Sequence, residues 1–99
     1  MQTHEEDSVR HEPRPGEIWE HFKSTEKEPK KYAIIAVAVN ASNGSNEKKV
    51  VVYHALYGKM LVYCRDLTEF MSEVDHEKYP NARQKYRFEC CFCRTLSDM

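Results

Sequence analysis

The feature that most constrains this chain is the run Tyr32 to Val39 (YAIIAVAV), apolar on both faces and rich in β-branched side chains. Such side chains are stiff about χ1 and fit an extended backbone. The run is far shorter than the roughly 20 residues that a membrane-spanning helix needs. It therefore predicts the most buried strand of a sheet. Asn40 to Asn46 (NASNGSN) follows, and Asn and Gly tolerate left-handed backbone, so the chain turns there. Lys48 to His54 should return antiparallel as a hairpin. Ala55-Leu56-Tyr57-Gly58 turns the chain again, and Met60 to Arg65 supplies another short strand.

The flanking segments carry weaker versions of the same alternation. In Glu17 to Lys23, Trp19, His21 and Lys23 share one strand face, while Ile18, Glu20 and Phe22 share the other. Ser24 to Lys31 is charged, contains Pro29 and reads as a loop. Asp66-Leu67-Thr68-Glu69 has the form of a capping box. Behind it Leu67, Phe70, Met71 and Val74 fall at helical spacing, which predicts a short helix. Asp75 to Gln84 is a loop around Pro80-Asn81. Lys85 to Cys93 alternates again, with Tyr86, Phe88, Cys90 and Phe92 on one face and Lys85, Arg87 and Glu89 on the other. The expected fold is mainly β: a small SH3-like bent sheet or partly closed five-stranded barrel with one short helix. Residues 1–14 read as a flexible polar N-terminal tail, 15–94 as a single β-rich domain and 95–99 as a C-terminal tail. A second core could not be buried in 99 residues.

Several blocks bear a family likeness. These are Pro15-Gly16, Trp19-Glu20-His21-Phe22-Lys23, Tyr32 to Ala38, Val51-Val52-Tyr53-His54-Ala55-Leu56-Tyr57-Gly58, and Leu61-Val62-Tyr63-Cys64-Arg65-Asp66-Leu67 with Phe70 and Phe88. Over Pro15 to Phe88 the chain resembles the family called domain of unknown function 1653. The resemblance implies a compact β structure and brings no established reaction. The family commonly shows Arg or Gln where this chain has His54, and Trp where it has Tyr63. The Asn40 to Lys49 loop is longer than usual, and the cysteine-rich end lies outside the pattern.

The formal net charge of -1 argues against a protein that wraps nucleic acid by electrostatics alone. The opening MQTHEEDSVRHEPRPG lacks an apolar core of the secretory type, so a cytoplasmic, reducing location is expected. On that view Asn40 and Asn43, each in a glycosylation sequon, are turn residues, and Cys64, Cys90, Cys91 and Cys93 are reduced and inert. Zinc binding by Cys90, Cys91 and Cys93 with Cys64 or His76 is weighed and set aside, because Cys91-x-Cys93 is tighter than a metal knuckle. No metal, cofactor or membrane contact is assigned.

Trp19, His21, Lys23, Tyr53, Tyr57, Tyr63 and Arg65 form the candidate contact set. Aromatic faces beside cations suit stacking on a base, gripping a peptide or holding a cation. Tyr63 and Arg65 share a strand face by parity. The alternative for Trp19 and Tyr53 is ordinary core, and for His21 and Lys23 a solvent-facing edge. Arg83, Lys85 and Arg87 could attract nucleic acid or form a solvated face. The expected function is a non-catalytic, monomeric module binding a peptide, nucleotide or single-stranded nucleic acid. The alternatives are a small enzyme with His54 or His21 as acid/base, and an adaptor pairing through a sheet edge.

Overall fold

The computed structural model describes residues 10–94. In chain order the elements are β1 (Ile18–His21), β2 (Lys31–Val39), β3 (Lys49–Ala55), β4 (Val62–Asp66), the helical turn α1 (Leu67–Phe70) and β5 (Phe88–Phe92). The five strands make one antiparallel sheet in the order β4-β3-β2-β1-β5, and the sheet is not closed. Over the described residues the protein is thus mainly β with one short helix, as the alternation predicts. No helix among the described residues is long and apolar enough to cross a membrane.

The apolar run takes the central position, yet β2 is not the most buried strand. Tyr32 and Ile34 enter the core, while Ile35 is 43% and Val39 57% exposed. The register with β3 shifts between Ile34 and Ala36. That bulge brings both Ile34 and Val37 to the core side and leaves Ile35 outside. Among the described residues the only helix is a single turn, so the outer face of the sheet stays open to water. The burial expected of β2 falls to β3, where Val51, Tyr53 and Ala55 are all buried.

The sheet is strongly curled. Four strand spacings of about 4.8 Å would hold the edge strands of a flat sheet some 19 Å apart. Here the guanidinium carbon of Arg65, on β4, lies 5.7 Å from the ring centre of Phe88, on β5. Inside the curl Trp19, Tyr32, Ile34, Val51, Tyr53, Ala55, Phe70 and Phe88 form one core. Phe70 stacks on Phe88 at 4.1 Å and meets Tyr53 edge-on at 5.3 Å. Each large side chain so buried contributes roughly 1.5–3 kcal/mol.

The capping box does not form. The side chain of Asp66 makes no cap hydrogen bond, because β4 runs straight into the helix and the turn ends at Met71. The apolar spacing still serves: Phe70 and Val74 are buried, and Leu67 and Met71 pack on the core.

Residues 10–14, expected in the polar tail, lie against the domain. Arg10 donates to the carbonyls of Met71 (2.8 Å) and Phe88 (2.7 Å), and its guanidinium covers the Tyr86 ring at 3.6 Å. His11 meets Trp19 edge-on at 5.8 Å. Charge and proline hid this packing, because it is built from cation–aromatic contact and carbonyl bonding instead of apolar burial. The rest of the expected tail, and residues 95–99, lie outside the described residues.

Candidate functional site

The structure divides the seven candidate residues. Trp19 and Tyr53 are 1% and 2% exposed, so their rings are core. The Trp19 indole N–H donates to Glu17 Oε1 at 2.8 Å. The Tyr53 hydroxyl accepts from Arg65 Nε at 3.1 Å, so only its polar tip takes part in the face. Lys23 leaves the face altogether. β1 stops at His21, the Lys23 backbone N–H turns back to donate to His21 Nδ1 at 3.1 Å, and its ammonium sits 5.0 Å from the Tyr79 ring.

The remaining four gather. Tyr57 and Tyr63 meet Tyr32 edge-on at 5.6 and 6.3 Å, and Tyr63 lies 5.7 Å from Tyr53. Phe88 links the rest, with His21 edge-on at 4.9 Å, the Arg65 guanidinium at 5.7 Å and Tyr32 at 5.7 Å. Tyr63 is 40% exposed. Tyr63 and Arg65 face the same way, as strand parity requires. The sequence reading missed the floor, Tyr32 and Phe88, and one wall residue, Lys30, whose ammonium lies 4.9 Å from the Tyr57 ring. Tyr32 was legible in principle, since a hairpin puts it beside Ala55 and Tyr53.

The electrostatics of this hollow follow from burial and from its cations. Burial, reinforced by Arg65, Lys23, Arg87 and Lys30, lowers the His21 pKa to about 4. The ring is therefore neutral at pH 7, with Nδ1 accepting and the proton on Nε2. Burial raises the Tyr32 pKa, and so does its 2.5 Å hydroxyl–hydroxyl bond with Tyr57. Burial alone would lower the Arg65 pKa; the bond to Tyr53 and the 2.8 Å pair with Glu69 reverse that, and the net shift is upward.

A second depression, an open groove of about 1300 Å³, lies between the loops around Phe22–Lys27 and Lys78–Gln84. Its charges are mixed: Lys23, Lys27, Lys78 and Arg83 face Glu20, Glu26 and Glu89. Its walls are loops, whereas the hollow is framed by strands and floored by buried rings. His54, the other acid/base candidate, sits beside its neighbour's carbonyl, with Nδ1 3.3 Å from Ala55 O.

The expectation of four reduced, inert cysteines is corrected. Cys90 and Cys93 form a disulfide, with Cα atoms 5.8 Å apart, while Cys64 and Cys91 are free and exposed. β5 ends at Phe92, which releases Cys93 from strand alternation and lets it turn back on Cys90. The spacing that mattered was Cys90-x2-Cys93, passed over in favour of Cys91-x-Cys93. One ligand atom from each of His11, Glu17, Cys90 and Cys93 lies within 4.8 Å of the others.

Glu17 is fully buried and accepts four hydrogen bonds: from the Arg14 N–H (3.0 Å), the Trp19 indole (2.8 Å), His11 Nε2 (2.9 Å) and the Arg94 N–H (2.8 Å). Burial would raise its pKa, but these donors outweigh that and hold it below the usual range.

No curated protein and no solved structure matches the chain. The model of the family described as Protein of unknown function (DUF1653) matches residues 17–90, from the buried Glu17 through all but the end of β5, and the chain belongs to that family.

Proposed function

We propose that the chain is a non-catalytic, SH3-like binding module whose aromatic and basic hollow recognises a nucleotide or single-stranded nucleic acid. One observation carries the reading: Tyr57, Tyr63, His21, Arg65 and Lys30 converge over a floor of Tyr32 and Phe88 inside the curl of the sheet. Arg65 and Lys30 set two cations beside these rings in a chain of net charge -1, which favours an anion with a planar face over a neutral peptide. Tyr63, partly exposed, offers a ring for stacking, and Arg65 and Lys30 the phosphate contacts. A base with a pKa of about 4 is poorly matched to acid/base work near neutrality, which counts against His21 as a catalyst.

The test is an NMR titration with nucleoside monophosphates, short single-stranded oligonucleotides and a peptide pool. Shifts centred on Tyr57, Tyr63 and Arg65 with the nucleic-acid ligands are expected. Tyr63→Ala and Arg65→Gln should each weaken binding by about 5–30-fold. Shifts only with peptides would replace the ligand class, and no shift at these residues with any ligand would remove the reading.

A second reading rests on the free edge. Met60 and Leu61, just before β4, and Val62 and Tyr63 at its start are 55%, 51%, 62% and 40% exposed, an apolar stretch beside a free edge of the kind that takes up another strand. Sedimentation across a concentration series decides it: self-association abolished by Val62→Lys would support edge pairing.

A further inference from the structure

We propose that His11, Glu17, Cys90 and Cys93 form a binding site for one zinc-class divalent ion when the Cys90–Cys93 disulfide is reduced. The site is distinct from the aromatic hollow and does not depend on its function.

The donor set is the first argument. Two thiolates at Cys-x2-Cys spacing, an imidazole and a carboxylate suit a borderline-soft ion that prefers four-coordinate nitrogen and sulfur ligation. The four ligand atoms lie within 4.8 Å of one another. Tetrahedral zinc, with bonds of about 2.0–2.3 Å, sets its ligands roughly 3.3–3.8 Å apart. Opening the disulfide lets the two sulfurs part toward that spacing, while the more distant ligand atoms close on the ion.

The second argument is how firmly the carboxylate is held. The Arg14 N–H, the Trp19 indole and the Arg94 N–H orient Glu17 from three directions. The fourth direction points to His11 Nε2 at 2.9 Å, so a metal can take the place of the proton shared between these two groups. Outer donors of this kind orient the ligands of metal sites and raise affinity.

The chemistry balances. A dithiol reductant breaks the S–S bond, giving two cysteine thiols and its own cyclic disulfide. Zinc then displaces the two thiol protons to solvent, and the His11 proton moves from Nε2 to Nδ1. The oxidised chain holds a disulfide within residues 90–93, whereas a metal in the reduced chain would tie His11 and the end of β5 to Glu17 beside the start of β1. His11 and Cys93 lie outside the 17–90 segment shared with the family, so this site is an addition at its margins.

The test uses the full chain, reduced with a phosphine, given one equivalent of Zn2+ or Co2+ and desalted. Retention of one zinc per chain is expected, together with a thiolate-to-cobalt charge-transfer band and the intense visible spectrum of tetrahedral cobalt. His11→Ala and Cys93→Ser should each weaken zinc binding at least tenfold, with the fold checked by circular dichroism, while Cys64→Ser and Cys91→Ser leave it unchanged. Failure of the reduced wild-type chain to retain metal, or a cobalt spectrum without the thiolate band, overturns the proposal whatever the variants do. Binding that survives Cys93→Ser undiminished, or that is lost in Cys64→Ser, overturns it as well.

Discussion

At the scale of single residues, the fold hangs on a carboxylate that hydropathy would never place inside. Glu17 sits at the foot of β1 and accepts from backbone and side-chain donors in three separate stretches of chain. Glu17→Gln keeps the shape but turns an amide N–H2 toward groups that are themselves donors. A cost of about 3 kcal/mol is expected, read as a fall of about 2 M in the urea midpoint. His21 makes the opposite kind of contribution. Its folded pKa of about 4 lies below the ordinary 6.5, so the unfolded chain takes up the proton first. The stability this residue confers is complete above pH 6.5 and drains away as pH falls toward 4, amounting to roughly 1–3 kcal/mol once solvent screening is allowed for. His21→Gln should flatten the stability profile across that window, as measured by urea unfolding at successive pH values. The loss tied to Glu17, whose pKa is already below 4.5, should persist in the variant at lower pH.

At the scale of elements, alternation was legible wherever a strand runs without interruption. β4 has no bulge, and Tyr63 and Arg65 came out on one face as parity demands. Parity failed at Lys23, because β1 ends two residues earlier, and at Val37, because an inserted residue resets the count. It could not separate core from contact face for Trp19 and Tyr53. In a curled sheet the concave side is both at once, and only the curl decides which rings are covered. The loop between β2 and β3 shows a local rule at work with the wrong residue. Asn46 and Glu47 both have positive φ (59° and 54°), and the Lys48 N–H donates to the Ser45 carbonyl at 3.3 Å. That pattern fits a type I′ turn, which Asn-Gly suits best and in which a glutamate backbone is strained. Glu47→Gly should stabilise the protein by about 1 kcal/mol, raising Tm by about 4–8 °C in a thermal melt. An unchanged or lower Tm would mean that the added freedom of the unfolded chain outweighs the relieved strain.

At the scale of the whole molecule, the described chain is closed by its ends instead of by its sheet. β4 and β5 do not pair, so the curl has a seam. One end of the curl is capped by residues 10–14 on one side and Arg94 on the other. The Arg94 backbone reaches Glu17 at 2.8 Å, its side chain donates to the Pro15 carbonyl at 3.3 Å, and the Arg14 guanidinium donates to the Arg94 carbonyl. Gly16 permits the approach: its φ is +89°, and a Cβ there would come within 3.1 Å of the Arg94 side chain. Arg10 ties the same end to Met71 and Phe88, bridging the segment after α1 to β5 where the sheet itself makes no link. Deleting residues 1–14 removes those two carbonyl bonds, two of the four donors to Glu17 and the cover over Trp19. A loss above about 3 kcal/mol is expected, with Trp19 fluorescence shifting to longer wavelength as water reaches the indole. A truncated chain with unchanged midpoint and emission would show that β1 to β5 hold their curl unaided, and that the packing of residues 10–14 follows the fold without sustaining it.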